Sequence, residues 1–146
     1  MREKPLVLII DDEPDIREIV KTKLEANGFE VKEAKDGVEG FNLVKELKPE
    51  IVLLDVVMPE MDGVETLLKI KEYECAKGSK IFLFTSKGDP RPEIVSLNRQ
   101  FARESGATDF IRKEIDLNEL VVRLQKAIQE LKEEEKYQKI KEEALK

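Results

Sequence analysis

The sequence predicts an α/β domain, a five-stranded parallel sheet with helices on both faces. Three observations carry this. Apolar runs of strand length recur at Leu6–Ile10, Ile51–Leu54 and Ile81–Phe84, continuous rather than alternating, as parallel strands covered on both sides require. Segments of helical period stand between the strands. A chain of 146 residues, 40% hydrophobic and 40% charged, suffices for one domain with a full core.

The first strand, Leu6–Ile10, runs straight into Asp11 and Asp12. Pro14 suits the first turn of the helix that follows, and Ile16, Ile19, Val20 and Leu24 mark its apolar face. Asn27-Gly28 ends it, because glycine takes the left-handed cap without strain. Glu30–Ala34 alternates and reads as an edge strand. A second helix spans Gly37 to Leu47, with Val38, Phe41, Leu43, Val44 and Leu47 inward, and stops before Pro49. The strand Ile51–Leu54 ends at Asp55, and a third helix follows from Val64 to Tyr73. The fourth strand delivers Thr85 and Ser86, and a fourth helix is expected from Pro92 to Glu104. Asp109–Arg112, short and mixed, is the other edge strand and ends at Lys113. The fifth helix opens with Asp116-Leu117-Asn118-Glu119, a capping box, and turns Leu120, Val121, Leu124 and Ile128 inward.

Composition narrows the function. No apolar stretch approaches the roughly 20 residues of a membrane-spanning helix, and MREKPLVLII lacks a signal-peptide pattern. The net charge of −6 argues against direct binding to nucleic acid or an anionic membrane. One cysteine, Cys75, permits no internal disulfide and suits a reducing cytoplasm. The absence of histidine excludes imidazole acid–base chemistry within this chain.

In a doubly wound sheet, ligands sit outside the carboxyl ends of the strands. Those ends carry Asp11, Asp12, Asp55, Thr85 and Lys113: three carboxylates, a hydroxyl and an ammonium on one rim. Two like charges ~4 Å apart repel by about 4 kcal/mol at an effective dielectric near 20. A hard cation relieves that repulsion, and oxygen ligands with room for water suit Mg²⁺, a frequent companion of phosphate. A carboxylate beside a metal can also act as a nucleophile and form an acyl phosphate. Asp55 is the best candidate, because it alone ends a central strand. Strand alternation sends Arg112 to the opposite face from Lys113, so only one of the two reaches the site.

The stretches "LIIDDEPDIREIV", "IVLLDVVMPEMDGVE", "FLFTS" and "GATDFIRK", in that order, resemble the receiver domain of two-component response regulators over roughly residues 4 to 130. The resemblance implies a flavodoxin-like strand order, 2-1-3-4-5, and a phosphoacceptor role for Asp55. It implies Mg²⁺ contacts from Asp12, Asp55 and the Val57 backbone carbonyl, with Asp11 close by. Thr85 and Lys113 would contact the phosphoryl oxygens, and Phe110 holds the position of the switch aromatic that follows Thr85. Gly63 matches the loop after the phosphoacceptor, where glycine permits a turn that other residues resist. Two departures stand out: Glu114 replaces the usual proline after the lysine, and the Thr85-to-Lys113 stretch is longer than usual.

The expected division is a receiver over residues 1–130 and a charged helical extension over 131–146. A coiled-coil homodimer through that extension is one reading, but the seam Leu117, Val121, Leu124, Ile128, Leu131 continues as Glu135 and Gln138, which breaks the heptad. The function expected is a signalling switch rather than an enzyme. A sensor histidine kinase or phosphotransfer protein would donate the phosphoryl group, and an output partner or output domain would read it. The alternatives are a receiver-like scaffold that is never phosphorylated and an aspartate-nucleophile phosphatase. The phosphatase is disfavoured because Glu13 and Val57, not aspartates, stand two positions after Asp11 and Asp55.

Overall fold

In a computed structural model, which describes residues 2–56, 63–72, 78–85 and 106–145, five parallel strands form one sheet in the order β2-β1-β3-β4-β5. They are β1 (Leu6–Ile10), β2 (Glu30–Ala34), β3 (Ile51–Asp55), β4 (Lys80–Thr85) and β5 (Asp109–Arg112). Every residue of the neighbouring β1 and β3 is buried, which is why both read as unbroken apolar runs. In β2 only Val31 and Ala34 are buried, as its place at the sheet edge dictates.

Four helices are described: α1 (Pro14–Glu25), α2 (Gly37–Leu47), α3 (Gly63–Glu72) and α4 (Leu117–Ala144). The last is the helix the sequence counts as the fifth. The expected helix from Pro92 to Glu104 lies outside the described residues, so the count of five is not reached among them. Tyr73, Cys75, Ser86 and most of the lengthened stretch before Lys113 fall outside as well.

The sheet separates two apolar layers. On one side Val20 and Leu24 of α1 and the α4 series Leu120, Val121, Leu124, Ala127, Ile128 and Leu131 pack on Val7, Ile9, Leu53 and Phe84. On the other side Val44 of α2 and Leu67 and Ile70 of α3 pack on Leu8, Ile10, Leu54 and Leu83. Two residues expected inward stay about half exposed, Ile19 at 51% and Val38 at 47%. In α2 Gly40 packs directly on the sheet, where a Cβ would lie 2.5 Å from Ile10 Cδ1. That proximity brings the helix down on its glycine and leaves Val38 at the margin.

The chain ends and caps obey local chemistry. Asp36 caps α2 by accepting from Glu39 N at 2.8 Å, and Asp116 caps α4 by accepting from Asn118 N at 2.8 Å. At the starts of β1 and β3, the end of the sheet away from the acidic rim, Glu50 accepts from Leu6 N at 2.6 Å and pairs with Arg2 at 2.9 Å. Arg2 also donates to the carbonyls of Leu47 and Lys48, satisfying orphan acceptors at the end of α2.

Candidate functional site

Sheet register carries the rim residues to one end. The parallel ladder runs one residue past the strands: Asp11 N donates to Ala34 O at 3.0 Å, and Lys113 N to Thr85 O at 2.8 Å. Asp55 closes β3 opposite Phe84, and Thr85 closes β4. The backbones of the chemical residues are therefore held by the sheet itself.

Asp11, Asp12 and Asp55 each offer a carboxylate oxygen, all within 4.8 Å of one another. Asp11 and Asp55 are buried and Asp12 is exposed, so the cluster has a dry floor and one wet side. Lys113 inserts its ammonium among these acids. Its Nζ lies 2.9 Å from Asp11 Oδ2, 3.1 Å from Glu13 Oε1 and 3.4 Å from Asp55 Oδ1. The sequence places Asp11, Asp12, Asp55 and Lys113 at strand ends, and the fold brings them together.

The electrostatics follow from this crowding. Burial pushes the Asp11 carboxyl above its ordinary value, although the Glu13 N–H and Lys113 pull the other way. Burial alone would lower the Lys113 ammonium, but the hydrogen bond to Asp11 and the charge of Asp55 outweigh it and raise the pKa. Lys113 is thus a permanent cation at neutral pH.

Thr85 contributes a buried hydroxyl, 1% exposed, whose Oγ1 finds no hydrogen-bond partner among the described residues. An unpaired buried hydroxyl costs about 1–3 kcal/mol. The donor set suits Mg²⁺ as well, being all oxygen, clustered and open to water on the Asp12 side. The expected Val57 carbonyl lies outside the described residues.

Phe110 is partly buried against the layer under α2 and α3, and the exposed Arg112 sets its guanidinium 5.4 Å from the Phe110 ring centre. The two occupy one sheet face, two residues apart, and Lys113 alone turns to the acids. Gly63 earns its place differently from expectation. Its φ is not positive, but a Cβ there would stand 2.2 Å from the Asp55 carbonyl oxygen and 2.5 Å from Val56 Cα. Close approach, not turn geometry, requires glycine, and Gly63 N donates to Val56 O at 3.0 Å.

Two contributors were not singled out by their types. Glu13 reaches Lys113 across 100 positions of sequence. Arg17 donates to the Asp11 carbonyl at 2.7 Å and to Glu33 at 3.3 Å, tying the acidic turn to β2. The only sequence signal for either was charge beside the acidic pair.

Comparison with known proteins agrees with this geometry. The family model described as the response regulator receiver domain matches residues 7–125. Transcriptional regulatory protein SrrA of Staphylococcus aureus is 38% identical over 118 residues, which cover 81% of this chain and 45% of SrrA. The chain thus spans about half the length of the curated relatives it matches. Among solved structures, Vibrio cholerae chemotaxis protein CheY4 superposes with a TM-score of 0.73 at 28% identity, covering 85% of this chain and 98% of that one. A receiver domain protein of Clostridium thermocellum gives 0.74 at 28% identity, covering 88% and 97% of the two chains. A CheY-like receiver domain protein of Methanospirillum hungatei gives 0.77 at 25% identity, covering 90% and 98%. The chain belongs to the response regulator receiver domain family, the signalling switches of two-component systems.

Proposed function

We propose that the chain is a phosphorylatable switch in which Asp55 accepts a phosphoryl group in a Mg²⁺-dependent reaction. The observation that carries this is Asp55 itself, buried at a strand end, inside the acidic cluster and 3.4 Å from Lys113. Asp11, Asp12, Asp55 and the Val57 carbonyl would hold the metal, which supplies positive charge to shield the incoming phosphate from three carboxylates.

A carboxylate oxygen of Asp55 attacks phosphorus, and the N–P bond of a partner's phosphohistidine breaks. The imidazole keeps the bonding electrons and takes a proton from solvent. Lys113 pairs with one phosphoryl oxygen and Thr85 donates its hydroxyl proton to another, which satisfies the buried Oγ1. Thr85 moves toward the phosphoryl group, and Phe110 follows into the space it leaves, shifting the population of the surface around β5.

The donor fits a sensor histidine kinase or phosphotransfer protein, since the chain has no histidine to carry the group. The recipient of the signal is a protein partner or an output segment, with residues 1–130 acting as the receiver and 131–146 as its extension. Charge and the lack of a helix able to cross a membrane among the described residues are in keeping with a cytoplasmic setting. Intact-mass measurement with acetyl phosphate tests the reading: one phosphoryl group is added with Mg²⁺, none with a chelator, and none in Asp55→Asn. Unchanged labelling of Asp55→Asn would remove the assignment.

A further inference from the structure

We propose that Glu13 is a positioning residue for Lys113, keeping the ammonium at the rim when Asp11 and Asp55 turn their oxygens to a divalent cation. The inference rests on the metal reading above and extends it to a residue outside the cluster.

Lys113 has three N–H donors, and among the described residues three carboxylates stand around it, from Asp11 at 2.9 Å, Glu13 at 3.1 Å and Asp55 at 3.4 Å. Asp11 and Asp55 belong to the cation cluster and Glu13 does not. A bound cation therefore competes with Lys113 for two of its three partners and leaves the third in place. The Lys113 side chain is 8% exposed and that of Glu13 58%, so Glu13 forms the outer wall of the ammonium's enclosure.

The local backbone supports the assignment independently. Glu13 occupies the N-cap position of α1 but makes no side-chain capping bond. Asp11 Oδ1 takes the Glu13 N–H instead, at 2.9 Å, and the Glu13 side chain crosses to Lys113. A residue placed to stabilise its own helix is spent on the lysine of another strand. An ammonium that gives up Asp11 and Asp55 keeps a carboxylate within reach, at 3.1 Å. Glu13 is the partner that remains, and from there Lys113 can move to a phosphoryl oxygen.

The test is a double-mutant cycle in the full chain, read by calorimetric titration with Mg²⁺ alone and with no phosphodonor. Glu13→Gln keeps the shape and exposure of the side chain and removes its charge. It should weaken Mg²⁺ binding roughly fivefold when Lys113 is present, because the ammonium then holds only the cluster's own acids. In the Lys113→Ala background the same substitution should change affinity by less than about twofold. Equal losses in both backgrounds would show Glu13 acting on the cation through its own field and would overturn the proposal, as would no change in either. A wild type that binds no Mg²⁺ overturns the metal reading and this inference together. A coupled cycle in a protein that takes no phosphoryl group removes the phosphoacceptor reading and leaves the role of Glu13 standing.

Discussion

At the scale of single residues, Lys113 is the hinge of the account, because it neutralises acids that would otherwise repel one another. Its folded pKa lies above the ordinary 10.5, so its stabilising effect is complete below that value and is lost as pH rises beyond it. The unfolded chain sheds the proton first, and unfolding becomes easier. Between about pH 10 and 12 the stability of the metal-free protein in urea should therefore fall more steeply in wild type than in Lys113→Met. Parallel slopes would place the ammonium outside the acids. The shared rim position of Asp11, Asp12, Asp55, Thr85 and Lys113 was legible in the sequence for a physical reason: each closes or follows a strand, and parallel strands deliver their carboxyl ends to one side. Glu13 and Arg17 were not. Their roles depend on how far a flexible side chain reaches across a turn, which neither periodicity nor spacing encodes.

At the scale of elements, the four described helices were legible through their apolar period, and α2 and α4 start at the capping aspartates Asp36 and Asp116. Their inward faces were less so. Periodicity counts side chains, whereas α2 packs on Ile10 through Gly40, which has none. The same blindness hid the reason for Gly63, which lets α3 begin against the backbone that carries Asp55. Gly63→Ala forces a methyl into the Asp55 carbonyl, and the strand end must shift. The expected loss is about 1–3 kcal/mol in chemical unfolding, accompanied by weaker Mg²⁺ binding because the displaced backbone is that of the metal site. Retention of both properties would show that the α3 entry relaxes without disturbing β3.

At the scale of the whole molecule, α4 runs 28 residues, about 42 Å, and is not uniformly anchored. Its buried series ends at Leu131, and Lys80 adds ion pairs to Glu130 and Glu134 at 3.4 Å. Beyond these, residues 132–145 are exposed, including Tyr137 at 64% and Ile140 at 56%. The broken heptad at Glu135 and Gln138 was legible for this reason: no apolar seam continues to pack. Removing residues 133–146 should cost less than about 1 kcal/mol, since exposed ion pairs contribute little; a larger loss in thermal unfolding would mean the extension stabilises the receiver. The central claim concerns the opposite end of the sheet, where an acyl phosphate should form on one aspartate of three. Borohydride reduces an acyl phosphate to the alcohol and so marks the aspartate that carried it. After treatment with acetyl phosphate and Mg²⁺, reduction and peptide mass spectrometry should find homoserine at position 55 alone; homoserine at position 11 or 12, or at none, would contradict the account.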